Sequence, residues 1–126
     1  MKKSIVLLWM SLLISISVIG ESYCQDKSTK ITFIELGSVN CIPCKKMQPI
    51  MKSLEKKYGE QLNVVFYDVW KKENKEKSKE FGIKLIPTQI FLDERGKEIH
   101  RHEGFYPEKD IDKFLKSKGL KINKKK

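Results

Sequence analysis

The 126-residue sequence predicts an α/β domain with a mixed central sheet flanked by helices, and three observations carry that prediction. Two short apolar runs rich in β-branched and aromatic residues, ITFIEL at 31–36 and LNVVFYDVW at 62–70, are separated by a stretch with helical periodicity. A third run, 89–92, is joined by the turn Asp93-Glu94-Arg95-Gly96 to a further strand-like segment, 98–103. The last segment is amphipathic again. A helix between two strands makes a parallel crossover and a short turn makes an antiparallel pair, so the order β, α, β, α, β, β, α requires a sheet of both kinds.

Each element has its own reason. The run 31–36 is nearly continuous in apolar residues, which suits a strand buried on both faces, and Gly37-Ser38-Val39-Asn40 ends it. Met47, Ile50, Met51, Leu54 and Tyr58 then recur at three- and four-residue spacing, with lysines and Glu55 mostly between them, which predicts an amphipathic helix closed by Gly59. Pro49 lies inside it and must remove one backbone hydrogen bond. Met47 and Met51 fall on the apolar stripe and read as core, not as copper ligands. Residues 62–70 read as a strand, with Phe66 and Trp70 as sheet packing. Residues 71–82 (KKENKEKSKEFG) read as a short exposed helix ending at Gly82. Pro107 opens the final helix, which carries Ile111, Phe114 and Leu115.

Composition bounds the possibilities. With 40% hydrophobic and 33% charged residues the chain is neither collagenous nor disordered, and its length suits one domain. The formal net charge is +10, yet only Arg95 and Arg101 are arginine, and the lysines are dispersed apart from Lys124, Lys125 and Lys126. That pattern reads as a solvated surface, and nucleic acid is not an expected partner.

The first twenty residues read as an address. Met1-Lys2-Lys3 precedes the uncharged run SIVLLWMSLLISISVIG, the layout of a secretory signal, with Val18 and Gly20 small enough for the −3 and −1 positions of a cleavage site. An uncleaved membrane anchor through residues 4–20 is the rival reading. Lipid modification of Cys24 is a third, disfavoured by the bulky Tyr23 before it. The resulting division is a signal or anchor at 1–20, a polar tether at 21–29, a domain at 30–119 and a basic tail at 120–126. An extracytoplasmic, periplasmic location follows from it.

Three cysteines cannot build a disulfide scaffold, so the close pair Cys41 and Cys44 must serve another purpose, while Cys24 is left over. A C-x-x-C alone is ambiguous between a zinc half-site and a redox pair. Here it falls where a buried strand turns into a helix, and the unpaired N–H groups and dipole of a helix start stabilise a thiolate. Cys41 is therefore expected to be the acidic thiol and Cys44, one turn inside, its buried partner. Pro43 stiffens the turn, and Lys45 and Lys46 add positive charge.

These residues resemble the thioredoxin family over about 30–118. The features that agree at their spacings are C-x-P-C, a Lys after the second cysteine, Pro49 five residues beyond it, Ile86-Pro87-Thr88 entering a strand, and the glycines Gly96 and Gly104. The resemblance implies a thioredoxin-like fold and a thiol–disulfide oxidoreductase needing no cofactor and no metal. It implies a cis Pro87 facing the cysteines, and a substrate polypeptide held by Ile86, Pro87, Ile42, Pro43 and Gly104. Glu35, six residues before Cys41, occupies the family's buried-acid position. A carboxyl inside a sheet has a raised pKa and can take the proton of Cys44, the alternative being a strand-end carboxylate in solvent.

Some positions depart from the family. Asn40 stands where Trp is usual, Ile42 replaces the usual Gly, and no lysine in VVFYDVW matches the one that commonly partners the buried acid. His100 and His102 alternate on one strand and with the cysteines offer a metal-binding alternative, against a plain edge strand. The expected function is exchange of the Cys41–Cys44 couple with polypeptide disulfides or thiols, in the reducing direction, by a monomer fed by an electron donor such as a membrane carrier. A disulfide oxidase or isomerase is the alternative within the class.

Overall fold

Four strands in the order β2-β1-β3-β4 form one sheet in the computed structural model, which describes residues 31–123. The strands are β1 (Ile31–Gly37), β2 (Leu62–Asp68), β3 (Thr88–Leu92) and β4 (Glu98–Glu103); the helices are α1 (Ile42–Tyr58), α2 (Lys75–Glu80) and α3 (Glu108–Ser117). β1 pairs parallel with β2 and antiparallel with β3, which pairs antiparallel with β4. The mixed sheet follows from the connections: α1 carries the chain across to a parallel neighbour, and a tight turn returns it to an antiparallel one. In that turn Asp93 Oδ1 accepts from the N–H groups of Arg95 and Lys97, and Gly96 takes a φ of 75°, which a Cβ would resist.

Side chains alternate across β1 and divide the core. Ile31 and Phe33 face α1 and α3 and pack with Met47, Met51, Leu54 and Tyr58 of α1, Phe91 of β3, and Ile111 and Leu115 of α3. Ile34 and Leu36 face the other way, toward Ile90, Val69 and the half-buried Phe81, Ile83 and Ile86. The α1–α3 contact is reinforced at its edge. Lys57 pairs with Glu108 and Asp112 at 2.5 and 2.6 Å, Tyr58 donates to Asp112 Oδ1, and Ser53 donates to Glu108. The two carboxylates raise the pKa of Lys57, with the Asp112 bond the larger cause.

Four sequence expectations need correction. β2 ends at Asp68 and not at residue 70, because the pairing register runs out at Gly37 opposite Asp68 and no partner remains for Trp70. Trp70 is accordingly not sheet packing: it is 61% exposed. Phe66 does pack against the α1 side. The stretch 71–82 makes a 3-10 turn, Lys72–Asn74, and only six α-helical residues, since its charged sequence offers no apolar stripe to bury. The tail expected from residue 120 begins later: Leu120 is buried in the α1–α3 core, and the N–H groups of Lys121 and Asn123 bond to Gln61 Oε1 and the Lys57 carbonyl. Residues 1–30, with the signal or anchor segment, the tether and Cys24, lie outside the described residues, as do Lys124, Lys125 and Lys126. Among the described residues no helix is long and apolar enough to cross a membrane.

Candidate active site

Cys41 and Cys44 form a disulfide with Cα atoms 5.2 Å apart, at the junction of β1 and α1. Cys41 is the N-cap of α1 and lies in extended backbone. Its Sγ accepts from the Cys44 N–H at 3.4 Å, so one of the unpaired donors of the helix start is aimed at this sulfur. Cys41 keeps 8% of its surface exposed and Cys44 none. The asymmetry comes from the helix: three residues on, the second cysteine has turned beneath the first and meets the sheet. There the packing is tight: a Cβ on Gly37 would sit 3.2 Å from both Cβ and Sγ of Cys44, so the disulfide would have to give by a few tenths of an ångström to admit one. Ile42, by contrast, is 72% exposed, and Pro43 is exposed beside it in the first turn.

Glu35 lies on the same face of β1 as Gly37, two residues back. It is fully buried, and neither carboxylate oxygen has a hydrogen-bond partner of good geometry. The solvent-facing alternative is therefore excluded. Its neighbours in register are Phe66 on β2 and Gln89 on β3, and no described cation pairs with it, in keeping with the missing lysine. Burial pushes its pKa up to about 8, opposed weakly by the adjacent Gln89 amide. That amide is itself committed, because Gln89 Nε2 donates to the Gly104 carbonyl at 3.0 Å.

The Ile86–Pro87 bond is cis, and Pro87 is buried beside β3. The Pro87 carbonyl accepts from the Gly104 N–H at 2.7 Å, and Thr88 Oγ1 donates to the Leu85 carbonyl at 2.7 Å. Gly104 has a φ of 90°, the left-handed region that glycine enters freely, and so leads the chain from β4 toward Pro87. His100 and His102 do share a face, but their rings serve the core edge. His100 Nε2 lies 3.0 Å from the Tyr106 hydroxyl, His102 stacks on the Tyr106 ring, and His102 Nε2 lies 3.2 Å from the Phe105 carbonyl. Among the described residues no group of three or more His, Cys, Asp or Glu is placed to hold a metal ion.

Residue patterns alone missed three parts of the site. Gly37 yields to Cys44. Gln89 tethers Gly104 beside Glu35, and its one signal was a polar residue within the apolar run TQIFL. Asp68, almost fully buried, accepts from the N–H groups of Val39 at 3.4 Å and Trp70 at 3.1 Å, so the loop leading to Cys41 is tied to the end of β2.

A helix-capping disulfide, and a buried carboxyl on the sheet face that its second cysteine meets, on a four-stranded mixed sheet, define a thioredoxin-like thiol–disulfide oxidoreductase. The chain belongs to that family: the model of a thioredoxin-like domain matches residues 22–119. It is 26% identical over 95 residues to the thioredoxin of Bacillus subtilis, covering 75% of this chain and 88% of the relative. It is 34% identical over 83 residues to the SPbeta prophage-derived thioredoxin-like protein YosR of the same organism, covering 66% and 92%. Among solved structures, the germline-specific thioredoxin Deadhead of Drosophila melanogaster superposes with a TM-score of 0.61 at 26% identity, over 70% of this chain and 80% of that one. A thioredoxin from Halobacterium salinarum, at 19% identity and a TM-score of 0.62 over 70% and 74%, shares the fold.

Proposed function

We propose that this oxidoreductase reduces disulfides in polypeptides outside the cytoplasm, with Cys41 attacking, Cys44 resolving and Glu35 taking the proton of Cys44. The observation that carries the division of labour is the contrast within the pair: Cys41 caps the helix at the surface, and Cys44 is wholly buried on the face that also holds Glu35. In the reduced protein the Cys41 thiolate attacks a substrate sulfur, the substrate's S–S bond breaks, and one substrate thiolate leaves. Cys44 then gives its proton to Glu35 and attacks Cys41 Sγ. The mixed disulfide breaks, the second substrate thiolate leaves, and the disulfide seen here is closed. Burial raises the pKa of Glu35 to about 8, so its carboxylate is a far better acceptor for a thiol proton near neutral pH than an exposed carboxylate would be. With the disulfide closed, Glu35 holds a proton at neutral pH, the state in which that transfer would leave it.

Ile42, Pro43, Ile86, Pro87 and Gly104 border this chemistry as the substrate-facing surface. Support for the reducing direction comes from the dipeptide: Ile42 and Pro43 add no charge and no side-chain donor to the Cys41 thiolate, so nothing there makes the couple unusually oxidising. The extracytoplasmic assignment rests on the signal-like pattern of residues 1–20, and a reductase in that oxidising setting requires an electron donor, for which a membrane carrier is suited. Cys44→Ser should trap a stable mixed disulfide on Cys41 with a polypeptide disulfide, detectable by mass, while Cys41→Ser traps little. Turnover by both variants at the parent's rate would overturn the reading.

A further inference from the structure

Among the described residues, three buried acceptor atoms on the sheet face that meets Cys44 have no hydrogen-bond partner of good geometry: both carboxyl oxygens of Glu35, and Oε1 of Gln89. The pairing of β1 with β3 sets these two residues directly opposite each other, and both are fully buried. Opposed residues of an antiparallel pair hold their Cβ atoms about 5 Å apart, within reach of each other's side-chain ends. We propose that Gln89 is a positioning residue for the proton transfer. Its amide donates an N–H to the Glu35 carboxylate while that group awaits the Cys44 proton, and its Oε1 accepts from the Glu35 O–H once the proton has moved. The proposal rests on the reading of Glu35 above as the acceptor of that proton.

A carboxyl changes its hydrogen-bonding role with its proton: ionised it only accepts, and protonated it carries one O–H that needs an acceptor. Either form left unpaired in the interior costs free energy, and a partner of one kind satisfies one form only. An amide carries a donor and an acceptor side by side, so it serves both. A lysine beside Glu35 would instead favour the ionised form and make it a weaker acceptor. The amide is also held for the task. Gln89 Nε2 donates one N–H to the Gly104 carbonyl at 3.0 Å, and the Gly104 N–H donates to the Pro87 carbonyl, which anchors the amide and leaves its second N–H and its Oε1 for Glu35. Other groups on that face are engaged elsewhere. Asp68 at the end of β2 accepts from the N–H groups of Val39 and Trp70, and His102, opposite Gln89 on β4, turns its ring to Tyr106 and its Nε2 to the Phe105 carbonyl. Phe66, the β2 neighbour, has no polar side-chain atom, and besides Cys44 the helices α1 and α3 present apolar residues such as Met47 and Ile111. Burial is accordingly the larger cause of the raised Glu35 pKa, and the Gln89 amide opposes it by favouring the carboxylate. The transfer moves one proton only: Cys44 Sγ keeps the bonding pair as a thiolate, and Glu35 becomes the neutral acid.

The first test leaves the amide in place. In the oxidised full chain, isotope-labelled and titrated with pH in the NMR spectrometer, the Gln89 side-chain amide resonances should move with the same midpoint as the Glu35 carboxyl carbon, and Glu35→Gln should abolish that movement. Gln89→Met keeps the length of the side chain but removes donor and acceptor. It should raise the Glu35 midpoint by about one pH unit, because the bond lost by the carboxylate is charge-assisted and stronger than the one lost by the acid. Release of the mixed disulfide, followed by stopped flow with a fluorescent peptide disulfide, should slow about tenfold near neutral pH in Gln89→Met and recover in alkali. In the Glu35→Gln background the same substitution should leave the release rate unchanged. No slowing in Gln89→Met, equal slowing in both backgrounds, or amide resonances that do not follow Glu35 would each overturn the proposal and leave the oxidoreductase standing. Equal slowing would mean that Gln89 acts only through Gly104 and packing. Release by Glu35→Gln at the parent's rate overturns the acceptor role of Glu35, and the role of Gln89 with it.

Discussion

The two faces of the sheet are built to different standards. On the α1–α3 side, Phe33 and Phe91 stack at 4.8 Å and Phe114 meets Phe91 edge-on. Helices of seventeen and ten residues cover them. On the other side α2 has six residues and buries none of them, so Ile90, Leu36 and Ile34 are covered mostly by half-buried side chains such as Phe81 and Ile83. The difference matches the division of function. The well-packed face holds Cys44 and Glu35, which need fixed geometry and exclusion of water. The thinly covered face is open beside Trp70, which is 61% exposed. A single sheet thus supplies rigidity on one side and an unfinished surface on the other.

Substitutions can break that comparison. Phe91→Ala should cost the most stability, about 3–5 kcal/mol by denaturant unfolding, because the cavity would open among stacked rings that cannot collapse. Phe81→Ala, half-buried under α2, should cost about 1 kcal/mol. Equal costs would mean that the two faces are packed alike.

A second test concerns what the well-packed face conceals. The folded disulfide form keeps the Glu35 proton up to a pH of about 8, whereas the unfolded chain releases it near the ordinary glutamate value of 4.5. Over that window the unfolded state binds fewer protons, so folding stability falls as pH rises, by at most ~1.4 kcal/mol per pH unit from this one group, and is level again above it. Glu35→Gln should remove that slope. In kinetics, the same variant should slow release of the mixed disulfide most near neutral pH and recover in alkali, where Cys44 ionises unaided. An unchanged slope would place the carboxyl in water, and an unchanged release profile would leave it a packing residue.

The smallest effect belongs to the exposed edge. Lys77→Ala removes a partly exposed pair with Glu80 and should leave the unfolding midpoint of the same experiment essentially where it is in the parent. A midpoint shift as large as that of Phe81→Ala would show that α2 carries more of the fold than its packing indicates.

The parts of the molecule that were legible from sequence are those whose signal is local. C-x-P-C, the apolar stripe of Met47, Met51, Leu54 and Tyr58, and the hairpin turn with Gly96 each declare themselves within a few residues. The parts that were not legible depend on pairing across the sheet. Whether VVFYDVW stops at Asp68 or continues to Trp70 is decided by where β1 ends, which reads only as a glycine in the sequence of β2's partner. The buried role of Asp68 and the exposure of Trp70 then follow together. Leu120 was hidden for a different reason: one apolar residue in a run of lysines looks solvated until α1 and α3 offer it a gap. Gln89 was obscured because its partners, Gly104 and the neighbourhood of Glu35, are brought to it only by register.

The claim that the Cys41–Cys44 couple works as a reductant is tested most directly by its reduction potential, from equilibration of the full chain against glutathione buffers of graded composition. With no charged or hydrogen-bonding side chain at Ile42 or Pro43 to stabilise the Cys41 thiolate, the value should lie nearer the thioredoxin end of the range, about −270 mV, than the strongly oxidising end near −120 mV. A potential above roughly −180 mV, the value of protein disulfide isomerase, would contradict the reducing assignment and make the protein a donor of disulfides instead.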